Sequence, residues 1–318
     1  MTCSTVRLTG QFCDFRPCKS AKRPNSGGVA SSTGAVPEPG SGPFIRGVVG
    51  VSRRSRGVAG LSLAASVGLL GAYVGYPGLR KAHAASTPCT VENTDDSGDG
   101  EPVPEGSLRE CLTGFTGGTI TFAEGLTGTI TLERDLPPVT LTSSVTITGN
   151  GAASTIIDGA ESHAALNFTT FNSSTVSVFS LTIRNAYTSD EGSAIRSVGA
   201  DVAIAGCRFS GNVADDGGGA VYVTSDVTVT GSTFSENYTE GDGGAIYGAD
   251  GVTISASTFS NNSADADAGG AVHGGGVVAI SGSTFTGNST SDDAGGAVYA
   301  DDDLSVDSST FSGNSSGN

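Results

Sequence analysis

Two short motifs keep step along the C-terminal part of the chain, and their shared period restricts the fold more than any other feature. Phenylalanine opens "FSGN" at Phe209, "FSEN" at Phe234, "FSNN" at Phe259, "FTGN" at Phe285 and "FSGN" at Phe311, at intervals of 25, 25, 26 and 26 residues. A glycine motif recurs with it: "GSAI" from Gly192, "GGAV" from Gly218, "GGAI" from Gly243, and "GGAV" from both Gly269 and Gly295. Upstream of each phenylalanine two apolar residues hold fixed offsets: Val202 and Ile204, Val227 and Val229, Val252 and Ile254, Val278 and Ile280, Leu304 and Val306. Such alternation marks a strand, whose side chains point to opposite faces in turn. The apolar pair and the phenylalanine therefore share one face, and the Thr, Ser and Ala between them take the other.

One unit of about 25 residues cannot bury such a face alone, whereas stacked units close a common core and pair every strand with its neighbours at ~4.8 Å. The β-branched alternation excludes helical repeats, and a propeller blade needs roughly 40 residues. Glycine supplies 49 of 318 residues while methionine occurs once and tryptophan not at all, which argues against a helical bundle. The expected fold is all-β, a parallel β-helix of 25 to 26 residues per coil over 118–318, behind a short N-terminal capping segment at 85–117. "VSVFSLTIRN" places Val176, Val178, Leu181 and Ile183 in the same register as a degenerate earlier copy. Asn212, Asn237, Asn262, Asn288 and Asn314 recur at one phase, where side-chain amides satisfy turn backbone and form a ladder.

Charge divides the chain in two. Eleven of the sixteen Lys and Arg residues lie at or before Lys81, with only Asp14 and Glu38 as acids. From Ala85 onward there are 30 acids, five arginines and no lysine, a formal charge of 5 − 30 = −25. Nucleic acid is excluded as a partner on this count, because its phosphates would be repelled. Residues 1–84 read as a presequence: Arg53 and Arg54 precede an uncharged run from Gly57 to Leu79, and Ala82-His83-Ala84 supplies a small-residue cleavage pattern. The run resembles a twin-arginine export signal, with Sec export as the alternative and a retained anchor as the uncleaved form. The first 50 residues suit either a transit peptide or a start codon assigned too early. Localisation is expected to be secreted or at the cell surface, with membrane contact only through export or an anchor. Cys3, Cys13 and Cys18 would leave with the presequence. In an oxidising compartment Cys89 and Cys111, which flank one short segment, form the candidate disulfide and leave Cys207 alone.

The alternation of "GGAI" with "FxxN" resembles the repeats of chlamydial polymorphic outer membrane proteins, over about Gly192 to Asn318. "CTVENTDDSGDGEPVPEGSLRECL", with its core "GSLREC", is similar to the CSLREA-type segment that opens secreted bacterial β-helix proteins, and Ser107 to Leu112 is expected to form a short capping helix. "GGTITF", "GTITL" and "SVTITGNGAASTIIDG" resemble the opening coils of the pectin-lyase-like superfamily. The resemblance implies a right-handed helix and an adhesin-like role at a surface. Such outer membrane proteins continue into an autotransporter barrel, whereas this sequence stops at "FSGNSSGN" within a repeat, so membrane insertion is not carried over from the resemblance.

The same fold hosts carbohydrate-active enzymes, so fold alone does not decide. "NTDD" at Asn93 to Asp96 lies in the N-terminal segment, without the His and Arg-Lys partners of galacturonases. A lyase needs a base and cations for the uronate, yet the chain after Ala85 has no lysine, and His163 and His273 are read as ordinary surface residues. No catalytic residues are assigned, and repeats that differ little at matched positions argue for a non-catalytic chain. Two outward lines follow the period. One is acidic, with Asp216, Asp242, Asp267 and Asp293 as a candidate metal ladder; no cofactor is required, and calcium is the ion expected if one binds. A weaker acidic line runs through Asp201, Asp226, Asp250 and Asp301 to Asp303. The other is Arg196, Tyr222, Tyr247, His273 and Tyr299, each directly after the Ile or Val of the glycine motif, a candidate platform for a glycan or a cell-surface protein. The expected function is surface interaction, with a carbohydrate-active enzyme or a structural cell-surface component as the rivals.

Overall fold

The computed structural model describes residues 88–265, 268–291 and 294–317. Residues 1–87, where a presequence with an export signal or a retained anchor is expected, lie outside them, as do Asp267 and Asp293. The described chain winds into a parallel solenoid of four sheets. Each full coil contributes one strand to each. In the coil that begins at Gly218 these are Val221–Val223 in sheet I, Val227–Thr230 in sheet II, Thr233–Ser235 in sheet III and Tyr238–Thr239 in sheet IV. The sheets hold 7, 9, 8 and 6 strands respectively. Every neighbour in a sheet is the equivalent strand of the next coil. Sheet IV consists of two-residue strands such as Tyr187–Thr188 and Val213–Ala214, too short to leave an alternation in the sequence.

Register carries the repeat directly into the core. Phe209, Phe234, Phe259, Phe285 and Phe311 are successive Cα partners. Their rings stack at 4.7 to 4.8 Å between centroids, and the first four are fully buried. Burial of each ring contributes roughly 1.5–3 kcal/mol, and the ring contact a further ~0.5–1.5 kcal/mol. Val227, Val229, Val252 and Ile254 are buried beside them, while Thr228 and Thr253 point to solvent. In the last coil Leu304, Val306 and Phe311 are only partly buried against the same core.

Two polar columns run inside. Asn237 shows the asparagine pattern: its Nδ2 donates to Oδ1 of Asn262 at 2.8 Å and to the carbonyl of Phe209 at 3.2 Å. Its Oδ1 accepts from the backbone N–H and Nδ2 of Asn212 at 3.1 and 2.9 Å. A buried amide with both donors and its oxygen satisfied costs little, and each copy supplies what the next one needs. The second column went unread in the sequence. Ser232, Ser257, Ser283 and Ser309 each accept through Oγ the backbone N–H of the preceding coil, at 3.0 to 3.2 Å. Cys207 occupies the first place in this column, and burial pushes its thiol up to about 11. It is a buried, unreactive member of a serine column.

The glycine motif meets two different demands. Gly243 has φ +71°, a left-handed conformation that favours glycine. Gly244 lies against the next coil: a Cβ there would be 2.2 Å from the carbonyl oxygen of Gly270.

The N-terminal end is closed differently. Strand Cys89–Val91 pairs with Gly118–Phe122, and helix Leu108–Leu112 lays Leu108, Cys111 and Leu112 over the core. Ser107 caps this helix by accepting from the N–H of Glu110 at 3.1 Å. Cys89 and Cys111 are disulfide-bonded, with Cα atoms 5.7 Å apart. Within "GSLREC" the arginine forms the central contact. Arg109 grips Asp96 through two hydrogen bonds of 2.5 and 2.7 Å and donates to the carbonyls of Arg134 and Asp135 at 2.8 and 2.7 Å. Both side chains of the pair are buried.

Candidate functional site

The aromatic line lies on the outer side of sheet I. Val221 and Val223 are fully buried, so the residue between them, Tyr222, must face outward. The same holds for Tyr247 beside Ile246. Arg196, Tyr222, Tyr247, His273 and Tyr299 are successive Cα partners in one unbroken register. Tyr222 and Tyr247 stack with centroids 5.0 Å apart and planes at 9°. His273 tilts away from Tyr247 by 38° at 5.0 Å, and Tyr299 from His273 by 55° at 5.2 Å.

This geometry changes what the line can offer. Tyr222 and Tyr247 stack along the solenoid axis and cover each other's faces, while His273 and Tyr299 present tilted rings. A sugar ring therefore finds phenol edges and hydroxyl groups on this surface rather than a flat aromatic face. Burial raises the pKa of the Tyr222 phenol, with the charge of Glu191 adding to the effect and Arg196 opposing it. Burial likewise raises that of Tyr247. At one end Arg196 is paired through Nε with Oε2 of Glu191 at 3.0 Å.

His273 departs from the surface role expected of it. It is 6 % exposed, because Tyr247 and Tyr299 enclose the smaller imidazole. Its Nδ1 lies 3.5 Å from Oδ2 of Asp242 and its Nε2 lies 3.9 Å from Oδ2 of Asp301.

The acidic line is not one column. Asp242 bridges in register to Gly217, so Asp216 falls one position away from it. The sequence holds the reason: Asp216 stands two residues before its motif glycine, Gly218, and Asp242 one before Gly243. Several carboxylates are instead employed between coils. Oδ1 of Asp242 accepts the N–H of Ala268 at 2.9 Å, and Oδ1 of Asp226 accepts that of Gly251 at 2.8 Å. On sheet IV a further pairing escaped the sequence reading. Tyr187 donates to Oδ2 of Asp215 at 3.2 Å and Tyr238 to Oδ2 of Asp265 at 2.6 Å. The bond to Asp265 pushes the Tyr238 phenol up to about 12. The irregular 27- and 28-residue spacing of these pairs concealed them.

"NTDD" borders an open polar groove of about 500 Å³ with Thr94, Asp95, Asp96, Pro104, Thr129, Thr131 and Glu133 in its lining. Asp96 is committed there to Arg109 and to the N–H of Glu133, at 3.0 Å. Among the described residues no group of three or more His, Cys, Asp or Glu converges as a metal site, and no helix is long and apolar enough to cross a membrane. Asn237 and Asn288, two of the six glycosylation sequons, are fully buried in the amide column.

No curated protein matches the chain, and no solved structure does. The sequence profile described as a right-handed beta helix region matches residues 139–316, more than half of the chain, and spans the coils whose columns are described above. The chain belongs to the right-handed beta helix family.

Proposed function

We propose that this is an exported, non-catalytic surface protein that binds a glycan or a protein partner through the outer side of sheet I. One observation carries the reading: Arg196, Tyr222, Tyr247, His273 and Tyr299 form a single in-register row on an outward face. A row of hydroxyls and ring edges repeating at strand spacing suits a partner that itself repeats, such as a polysaccharide or an extended peptide. The acidity of the chain after Ala85 disfavours a polyuronide and favours a neutral or basic partner. The family is compatible with a surface protein and with a pectin-lyase-like one, and the likeness of "GGAI" and "FxxN" to adhesin repeats supports the first.

The test is a binding screen of the chain against neutral glycans, polyuronides and whole cells, repeated with the Tyr222→Phe, Tyr247→Phe double variant. That variant keeps the ring stack and removes only hydroxyls. Saturable binding that weakens in the double variant, with an unchanged melting temperature, supports the reading. Turnover of a glycan, abolished by a single Asp substitution, would overturn it in favour of an enzyme. Unaltered binding in the double variant would move the contact surface elsewhere.

A further inference from the structure

The row on sheet I holds one imidazole where its neighbours hold phenols, and that imidazole is buried, at 6 % exposure. Nδ1 of His273 is shielded from solvent and makes no hydrogen bond. The oxygen it faces, Oδ2 of Asp242, is 3.5 Å away, beyond a normal N–H···O distance. That carboxylate is held in place, because its other oxygen accepts the N–H of Ala268 at 2.9 Å. On the far side of the ring Oδ2 of Asp301 is 3.9 Å from Nε2.

We propose that Asp242 and His273 form a two-donor site for a divalent transition-metal ion of the zinc type. Nδ1 and Oδ2 are the protein ligands, and Asp301 is a positioning residue behind Nε2. An ion about 2.1 Å from each of two donors in tetrahedral geometry holds them about 3.4 Å apart. The observed 3.5 Å separation is too long for a hydrogen bond and right for a shared ion. A histidine that ligates through Nδ1 carries its proton on Nε2, and in that tautomer the His273 ring turns an Nδ1 lone pair toward the Asp242 carboxylate 3.5 Å away. A cation between them satisfies both. The Asp301 carboxylate, 3.9 Å behind Nε2, is too far for a hydrogen bond and favours the ligating tautomer through its charge alone. Imidazole selects zinc, copper or nickel over calcium and magnesium. Among the described residues no third His, Cys, Asp or Glu completes the set, so the ion keeps open positions for water or for a donor from outside the chain. The site does not depend on what the row of rings binds.

The experiment is a calorimetric titration of the full chain with zinc chloride in a non-chelating buffer. His273→Tyr is the decisive variant, because it installs the larger phenol ring already present at Tyr247 and Tyr299 and removes both ring nitrogens. It is expected to bind one zinc fewer per chain, and Asp242→Asn likewise. Asp301→Asn is expected to keep the stoichiometry and weaken the affinity about tenfold. Equal stoichiometry and affinity in His273→Tyr, no zinc binding by the wild-type chain, or displacement of the ion by calcium would each overturn the proposal. Should the variant fail to fold, zinc-dependent shifts of the His273 ring resonances in the wild-type chain decide, and their absence also overturns it.

Discussion

The two ends of the repeat's regularity hold together by opposite means. Between Gly192 and the last coil three core columns repeat one residue type: phenylalanine on phenylalanine, asparagine on asparagine, and serine on serine after Cys207. In the N-terminal segment the contacts occur once. Arg109 alone ties Asp96 to the carbonyls of Arg134 and Asp135, and one disulfide fastens the strand at Cys89 to the helix at Cys111. A column spreads its energy over equivalent positions, so its members are felt only with their neighbours. A clamp concentrates energy in groups whose loss leaves a partner buried and charged.

The sharpest way to break the comparison is Arg109→Ala. It leaves Asp96 as a buried, unpaired charge and is expected to cost about 3–5 kcal/mol in denaturant unfolding. The double variant Arg109→Met, Asp96→Leu is expected to recover most of that loss, because it removes both charges. Equal stability of Arg109→Ala and the double variant would show that the clamp acts through packing. Within a column, Asn237→Ala orphans the N–H of Asn212 and removes a donor to the carbonyl of Phe209. About 2 kcal/mol is expected, with a smaller loss for Asn314→Ala at the half-buried end of the column. A loss as large as that of Arg109→Ala would erase the distinction.

Acid probes a third setting, between cap and regular coils, where Asp158 meets Arg184. Burial alone would raise the Asp158 pKa. The N–H of Ala160, hydrogen bonds from Arg184 and Asn185, and the charge of Arg184 outweigh burial and hold it below its ordinary 3.8. A depressed folded value means that this contribution is present above the unfolded pKa and is lost as pH falls through the folded one. Melting temperature measured against pH should therefore drop on the acid side, and Arg184→Gln should flatten that limb. Calcium gives the smallest expected effect. Because Asp216 is out of register with Asp242, and Asp242 already accepts a backbone N–H, calcium should raise the melting temperature no more than magnesium does at matched ionic strength. A rise specific to calcium would restore the ladder of carboxylates as an ion site.

Much of this was legible in the sequence where a residue type recurs at a fixed phase. Phe259 and Asn262 announce their columns because an identical partner stands 25 or 26 residues away. The serine column stayed hidden because Cys207 breaks its first place and serine is common between strands. The pairs Tyr187 with Asp215 and Tyr238 with Asp265 were illegible because they join different phases of successive coils. Asp216 and Asp242 misled in the opposite sense, since similar residues one position apart look like a column until register separates them. His273 was read as a surface residue from its place in an outward row, and the two larger tyrosine rings beside it bury it.

The repeat pattern alone specifies the solenoid, its period, the inward face and the asparagine column, because in a parallel stack a residue's nearest neighbour is its own equivalent one period on. Packing in three dimensions sets which way an exposed ring presents itself, which carboxylates are consumed between coils, and that Asp242, His273 and Asp301, drawn from three successive coils, meet on one face. Those outcomes depend on distances between unlike side chains. Such distances are fixed by the exact register of each coil and by the relative sizes of neighbouring groups, and a periodic pattern in one dimension does not contain them.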